Sequence, residues 1–394
     1  MKEYFKRKLK GEIYFLKALP TPLYLSQCVL HKHELLICGG WDKRACYSYH
    51  TIKNEYKLIC EYPSDITLMG LCVVELVGNN NKDSNEITLL SFGESSLIKK
   101  HTLMMKYVSV WSNNNSNNIN GNEMNKSKES KKLNNYNEWV PFTDNHNHPI
   151  YIGRSGGYYQ GMRAVIGGSN NNLLFITYWK NNISVFDLNT FQFIKHDTLP
   201  TKNEISFHCF VLNSENEQEM VKTNKKNCEM LLFCFNTGLL IEYDEDNNTF
   251  QFHQLPVCNA IASSFAYAYV RVNDIILFFG GWNNNEGASS KSVHKYSIRE
   301  NKWMTFENTL LKQLCGSVAI LSEDCTYIHI IGGKDDKETT VSTHMKTKVR
   351  LWDPLQLSKN EIKCIIQYWI RVLKIKLGWI DDFDQIIFKF KSNM

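Results

Sequence analysis

The sequence predicts an all-β protein built as a six-bladed β-propeller, in which six similar four-stranded sheets close into a ring. Three observations predict this fold. An apolar segment that ends in small or turn-forming residues recurs six times along the chain. In four of these units, the segment is followed by two aromatic residues with six residues between them. Turn-forming residues such as Asn and Asp lie between the two aromatics, as expected of tight β-hairpins.

The six apolar segments are the predicted core strands. A four-stranded sheet cannot bury both of its faces alone, so we expect the copies to pack face to face around an axis. A further short apolar strand precedes each core strand, which gives four strands per unit. The core strands run from Leu35 to Gly40, Leu89 to Gly93, Leu173 to Tyr178, Leu231 to Asn236, Ile275 to Gly281 and Ile328 to Gly333.

Glycines end four of the core strands. We expect them to adopt φ values that other residues avoid and to let neighbouring blades approach where a Cβ atom would clash. They are Gly39 with Gly40, Gly93 alone, Gly280 with Gly281, and Gly332 with Gly333.

The aromatic pairs are expected to fill the wedge between blades. Four pairs have the fixed spacing: Tyr49 with Tyr56, Phe186 with Phe193, Tyr243 with Phe250, and Tyr296 with Trp303. In the second unit, Trp111 and Trp139 take these positions if residues 112–137 are an insertion. In the sixth unit, Met345 and Trp352 take them, with Met in place of the first aromatic.

These glycines and aromatics resemble the repeats of the kelch and galactose oxidase-like propeller superfamily. The resemblance covers residues 12–353 and is most specific in the first, fifth and sixth units. A repeat of about fifty residues is typical of kelch blades. Six blades fit the repeats, and seven remain an alternative.

The ends of the chain extend this organisation. Residues 1–11 form a basic tail, and strand Tyr14 to Leu16 is expected to complete the last blade, which leaves no open sheet edge. The Asn-rich insertion at 112–137 is too poor in apolar residues to fold, so we predict disorder. Residues 358–394 carry a helical pattern and are predicted to form a helical hairpin. Its apolar face either packs on the propeller or completes a small core of the hairpin itself. The alternative is that the helix docks a partner or lies on a membrane surface.

Composition excludes several classes of function. The net charge is only +5, from 45 basic and 40 acidic residues, so nucleic acid is not an expected partner. No apolar stretch is long enough to span a membrane. Several of the twelve cysteines fall within apolar strands, and no Cys-x-x-Cys motif occurs, which favours buried thiols in a reducing, cytoplasmic setting.

Two histidine pairs, His31 with His33 and His146 with His148, have a spacing that places both rings on one face of a strand. No cluster of Asp or Cys completes either set, so we predict solvated loop histidines, with no metal and no cofactor. The superfamily resemblance implies one alternative, a metal-dependent oxidoreductase that holds copper with tyrosines and histidines. No local motif matches those ligands, and we assign no catalytic residue.

We therefore predict a non-catalytic scaffold or adaptor that binds a protein partner through loops on one face of the propeller. Aromatic and Arg side chains are common binding anchors in such loops. The candidate residues follow the core strands or precede the third blade: Trp41, Asp42, Lys43, Arg44, Arg154, Tyr158, Tyr159, Trp282, Asn283, Lys334, Asp335 and Asp336.

Overall fold

A computed structural model describes residues 13–76, 85–94, 100–112, 136–154, 157–213 and 227–353. These residues form strands β1 to β27 and one four-residue helix, α1 (Val349–Trp352). The strands make six four-stranded antiparallel sheets and one small three-stranded sheet. The prediction of an all-β propeller is confirmed. The basic tail, most of the Asn-rich insertion and the C-terminal helical hairpin lie outside the described residues.

We number the four-stranded sheets 1 to 6 along the chain and give their strands from the channel outward. Sheet 1 is β2 (Gln27–His31), β3 (Glu34–Gly40), β4 (Lys43–His50) and β5 (Glu55–Glu61). Sheet 2 is β6 (Cys72–Leu76), β7 (Glu86–Glu94), β8 (Lys100–Val108) and β9 (Val140–Pro141). Sheet 3 is β10 (Arg163–Gly167), β11 (Leu173–Tyr178), β12 (Asn182–Asp187) and β13 (Gln192–Thr198).

The other three sheets follow the same order. Sheet 4 is β14 (Cys209–Leu212), β15 (Asn227–Cys234), β16 (Thr237–Asp244) and β17 (Thr249–Gln254). Sheet 5 is β19 (Ala268–Val272), β20 (Ile275–Phe279), β23 (Val293–Ser297) and β24 (Lys302–Thr305). Sheet 6 is β25 (Val318–Leu321), β26 (Tyr327–Ile331), β27 (His344–Lys348) and β1 (Ile13–Phe15). The small sheet is β18 (Ser264–Phe265), β21 (Trp282–Asn283) and β22 (Ala288–Ser289).

Adjacent residues of each core strand point to opposite faces of the sheet, so one strand serves two interfaces. This explains why the core strands are apolar throughout rather than alternating. Six clusters of buried residues each join two neighbouring sheets, and the sixth returns to sheet 1. One residue pair from each cluster marks the ring: Leu36 with Leu89, Leu90 with Ile176, Phe175 with Leu232, Leu231 with Ile276, Leu277 with Ile330, and Ile331 with Leu35.

The four aromatic pairs with fixed spacing lie directly opposite each other on the third and fourth strands of their sheets, as predicted. Their ring centroids are 4.8 to 5.2 Å apart. In three sheets, the tyrosine hydroxyl also donates to an Asn that holds a positive φ in the hairpin. These bonds join Tyr49 to Asn54 at 2.8 Å, Tyr243 to Asn248 at 2.6 Å, and Tyr296 to Asn301 at 2.8 Å.

The other two predicted pairs are wrong. Trp111 lies beyond the end of β8 and does not face Trp139; it donates to the Ser48 hydroxyl of sheet 1 at 2.8 Å. Met345 lies opposite Phe15 of the N-terminal strand, because the chain end supplies the fourth strand of sheet 6. Trp352 instead sits in α1, fully buried.

Gly280 and Gly332 show why the core strands end in glycine. Both have positive φ, +63° and +68°. A Cβ atom on Gly280 would lie 2.2 Å from the Leu314 carbonyl oxygen, and one on Gly332 would lie 2.4 Å from that of Leu23. The predicted roles of these glycines in turning and in close approach are confirmed.

The ring is closed by β1, which pairs with β27 from Ile13 opposite Thr347 to Phe15 opposite Met345. The closing strand begins and ends one residue earlier than predicted. Because the first strand along the chain completes the last sheet, sheet 6 has no missing fourth strand.

Candidate functional site

The predicted binding residues lie on one face of the propeller. In each antiparallel sheet, the end of the second strand and the end of the fourth strand point the same way. The loops that follow those strands therefore share one face, which we call the loop face. Residues 41–44, Trp282 with Asn283, and 334–336 follow second strands. Arg154, Tyr158 and Tyr159 precede sheet 3, so these residues also lie on this face.

Trp41 packs beside a residue that the sequence analysis missed. Its backbone N–H donates to the Tyr24 carbonyl oxygen at 2.7 Å, and the two rings are 6.4 Å apart. The Lys334 ammonium lies 4.7 Å from the Tyr24 ring centroid, within cation–π distance. Burial, aided by Cys315 and Glu338, raises the Tyr24 pKa to about 12, so its hydroxyl remains a proton donor. Three separate loops meet here.

The same surface continues to Trp282. The Ser289 hydroxyl donates to the Asp335 carbonyl oxygen at 3.1 Å and lies 3.4 Å from that of Lys334. Ser289 is directly opposite Trp282 in the small sheet. A chain of contacts therefore connects five residues across sheets 1, 6 and 5, and we call this surface the tryptophan arc: Trp41, Tyr24, Lys334, Ser289 and Trp282.

The two tryptophans of the arc differ from the others in their hydrogen bonding. Among the seven tryptophans of the described residues, only Trp41 and Trp282 have an indole N–H with no partner there; both are partly exposed. The other five indoles donate to Ser48, the Cys46 sulfur, Glu204, the Pro256 carbonyl oxygen and Thr347. Because tryptophans usually pair this group when they are buried, the arc carries two donors that a ligand could use.

Several other predicted binding residues serve the fold. Tyr159 is buried: its ring stacks on Tyr178 at 4.5 Å and its hydroxyl accepts the Arg154 N–H, so the prediction of a surface contact is wrong for this residue. The Asp335 carboxylate accepts N–H groups within its own loop, and the Asn283 side chain accepts the Ser263 hydroxyl at 2.9 Å.

The remaining candidates keep a surface position. Arg154, Tyr158, Asp42, Lys43 and Asp336 are exposed. Arg44 is partly exposed and forms an ion pair with Glu61 at 3.3 Å.

A neutral groove lies on the loop face over sheets 4 and 5, with a volume of about 490 Å³. No charged residue lines it, and its residues were not predicted. The side chains of Asn259, Asn284 and Asn285 make no hydrogen bond within the described residues. Asn284 and Asn285 follow Trp282 and Asn283 in the sequence, and this proximity was the one sequence feature that pointed to the groove. The full lining is Asn203, Phe235, Asn236, Asn259, Ala262, Ser263, Asn284 and Asn285.

The histidine predictions need two corrections. His31 is buried, with its ring 5.8 Å from that of Tyr107, because it ends β2 rather than lying in a solvated turn. For His146 and His148, the sequence analysis did not find the carboxylate that lies beside them, which belongs to Asp144 and is a potential third ligand. The three ligand atoms lie within 4.8 Å of one another at the surface. The Asp144 carboxylate also accepts hydrogen bonds from the backbone N–H groups of both histidines, which stabilises this turn.

The described cysteines agree with the prediction of buried free thiols. Seven of these eleven residues are buried, and none forms a disulfide with another described cysteine. Burial raises the pKa of Cys72 to about 11 and that of Cys234 to about 12, which keeps both thiols protonated. No helix in the described ranges is long and apolar enough to cross a membrane.

Comparison with known proteins agrees with this architecture. Residues 266–308, which contain all four strands of sheet 5, match the kelch motif. No curated protein matches the chain in sequence. A solved structure described as "Structure of YjhT" shares the fold with a TM-score of 0.52 and 12% identity, over 84% of this chain and 95% of that chain. Such low identity shows the fold alone. The molecule is a β-propeller with loops around a channel, and the stretch that forms its sheet 5 carries the kelch motif.

Proposed function

We propose that this protein is a non-catalytic scaffold or adaptor that binds a protein partner through the tryptophan arc. One observation carries the proposal: Trp41 and Trp282 alone among the described tryptophans leave their indole N–H groups without a partner. Tryptophan is enriched at the energetic centres of protein interfaces, where its ring is buried and its N–H is paired.

The arc is also well suited to binding because it is already ordered. The Trp41 backbone is bonded to Tyr24, and Trp282 lies in a strand. A partner therefore does not have to fix mobile loops, which reduces the entropic cost of association. The neutral groove beside Trp282 offers carboxamide donors and acceptors that suit the main chain of an extended peptide. We place the protein in the cytoplasm, where its buried, protonated thiols are compatible with a reducing environment.

The test compares substitutions that remove one hydrogen-bond donor and keep the ring. Trp41→Phe and Trp282→Phe remove the unpaired N–H groups of the arc. Trp179→Phe is the matched control: Trp179 is a partly exposed tryptophan on the loop face, and its N–H is already used by Glu204 at 3.0 Å. Partners are captured from cells expressing each variant and quantified by mass spectrometry.

We expect each arc variant to weaken capture about fivefold, since a lost hydrogen bond costs about 1 kcal/mol. Trp41→Ala and Trp282→Ala remove the ring as well, and hot-spot truncations of this kind cost about 2 kcal/mol or more. If both Ala variants keep every partner at wild-type levels while their unfolding temperatures are unchanged, the arc is not the binding surface.

The oxidoreductase alternative predicts a metal bound in stoichiometric amount. Asp144, His146 and His148 could hold an ion at the surface without any redox role, so elemental analysis needs the His146→Ala, His148→Ala variant beside the wild type. Metal that remains in this variant would favour the oxidoreductase. Metal that is absent from both proteins would remove that alternative.

A further inference from the structure

The central channel opens onto the loop face through a cavity of about 220 Å³. Residues at the start of the innermost strands of five sheets line it. Most of the lining is small and apolar, and includes Val73, Ala164, Ala268 and Ala319. Sites for drug-sized ligands usually occupy roughly 300–1,000 Å³, so this cavity suits a smaller molecule or a single chemical group.

Arg163 is the one charged residue that lines this cavity, and no Asp or Glu accompanies it. It forms no ion pair within the described residues. One guanidinium nitrogen donates to the Met162 carbonyl oxygen at 2.9 Å, which leaves most of its five N–H donors unused there. Burial raises the pKa of Tyr269 and of Cys72, which also line the cavity, and the positive charge of Arg163 partly offsets this by lowering both pKa values. A partly buried cation without a counterion is costly.

Two further polar groups in the cavity lack partners. The hydroxyls of Ser26 and Ser317 are buried, with 3% and 8% of their residues exposed, and neither makes a hydrogen bond. Both belong to segments that lead into the innermost strands of sheets 1 and 6, which lie next to each other in the ring. Buried hydroxyls are normally paired, so two unpaired hydroxyls that line the same cavity as an uncompensated cation indicate a place for a polar ligand.

We propose that the channel mouth binds one carboxylate group through the Arg163 guanidinium, with the Ser26 and Ser317 hydroxyls available to the rest of the ligand. A carboxylate supplies the missing negative charge and fits the planar guanidinium with two parallel hydrogen bonds. The small apolar side chains in the lining leave room for a short aliphatic portion of the ligand. The carboxylate belongs either to a small molecule or to an acidic side chain of a bound protein, and the two arms of the test separate these sources.

The first arm measures binding of acetate and pyruvate to the purified protein by ligand-observed NMR, with acetamide as the neutral control. We expect saturable binding of the anions and none of acetamide. Arg163→Met should weaken anion binding about tenfold or more. Arg163→Lys should weaken anion binding less, because lysine keeps the positive charge and lacks only the paired N–H donors of the guanidinium. Without ligand, Arg163→Met should unfold at the same temperature as the wild type or higher, since it removes an unpaired charge.

The second arm repeats the partner capture with Arg163→Met. Loss of partners would assign the carboxylate to the partner protein, whereas unchanged capture together with anion binding would assign it to a small molecule. The proposal is overturned if Arg163→Met binds the anions as the wild type does. It is also overturned if the wild type binds neither anion and Arg163→Met captures every partner. Trp41 and Trp282 do not line the cavity, so failure of the arc would leave the anion result standing.

Discussion

Acidification is expected to destabilise the ring through histidines that are buried in the folded protein. Burial lowers the pKa of His101 and His294 to about 4 and that of His329 to about 3, and it lowers those of His208 and His344 well below the usual value. In the unfolded chain, each titrates near its ordinary pKa of about 6.5. Because the folded values are depressed, the unfolded chain binds more protons below pH 6.5. The stability present above that pH is therefore lost as pH falls.

The size of the loss follows from proton linkage. Between pH 7.5 and 5.5, a histidine that stays neutral when folded and titrates near 6.5 when unfolded loses about 1.4 kcal/mol of stability. His101, His294 and His329 together account for about 4 kcal/mol, and His208 and His344 add to this loss. Such a change is a large fraction of the net stability of a typical domain.

The measurement is urea unfolding followed by tryptophan fluorescence at pH 7.5, 6.5 and 5.5. His101→Gln should reduce the pH-dependent loss by about 1.4 kcal/mol, because one titrating site is removed. Val73→Ala is the control: it deletes buried methyl groups in a neighbouring inter-sheet cluster and should lower stability equally at every pH. The reasoning is refuted if wild-type stability does not change over this range, or if His101→Gln and wild type lose the same amount.

Two further predictions concern the ring itself. Gly280→Ala should destabilise the fold by about 2 kcal/mol more than Gly287→Ala, since both glycines have nearly the same positive φ but nothing lies within 4 Å of a Cβ on Gly287. If Gly280→Ala and Gly287→Ala have equal free energies of unfolding, the cost of both substitutions comes from backbone strain and not from the steric clash at Gly280. Ile13→Ala should cost about 2–4 kcal/mol, because Ile13 anchors the closing strand in the cluster between sheets 5 and 6. A loss below about 0.5 kcal/mol, the range of ordinary surface changes, would mean that β1 does not hold the ring closed.

The sequence predicted the features of the fold that depend on local spacing. A fixed gap between Tyr49 and Tyr56 places them opposite each other because a short hairpin sets the register. The same spacing rule gave wrong pairs in the two sheets whose third and fourth strands are not joined by a short hairpin. In sheet 2 the long insertion separates Trp111 from Trp139, and in sheet 6 the partner of Met345 comes from the other end of the chain.

The candidate site was predicted only in part. Loops after core strands necessarily reach one face, so Trp41 and Trp282 were found from their positions alone. Burial of Tyr159 depends on its stacking against Tyr178 of β11, which no local pattern reports. Likewise, Arg163 begins an apolar strand, and its direction into the channel follows only from the closed ring. The unpaired indole groups could be recognised only from the structure, where each of the other five described tryptophans has a hydrogen-bond partner.

Photo-crosslinking tests the binding surface most directly. A p-benzoylphenylalanine residue replaces Trp41, Trp282 or, as the control, Ile52, which is 70% exposed in a hairpin on the opposite face. The account predicts that irradiation in cells links the same partner protein to positions 41 and 282 and not to position 52. A partner that is linked from position 52 and from neither tryptophan position would contradict it.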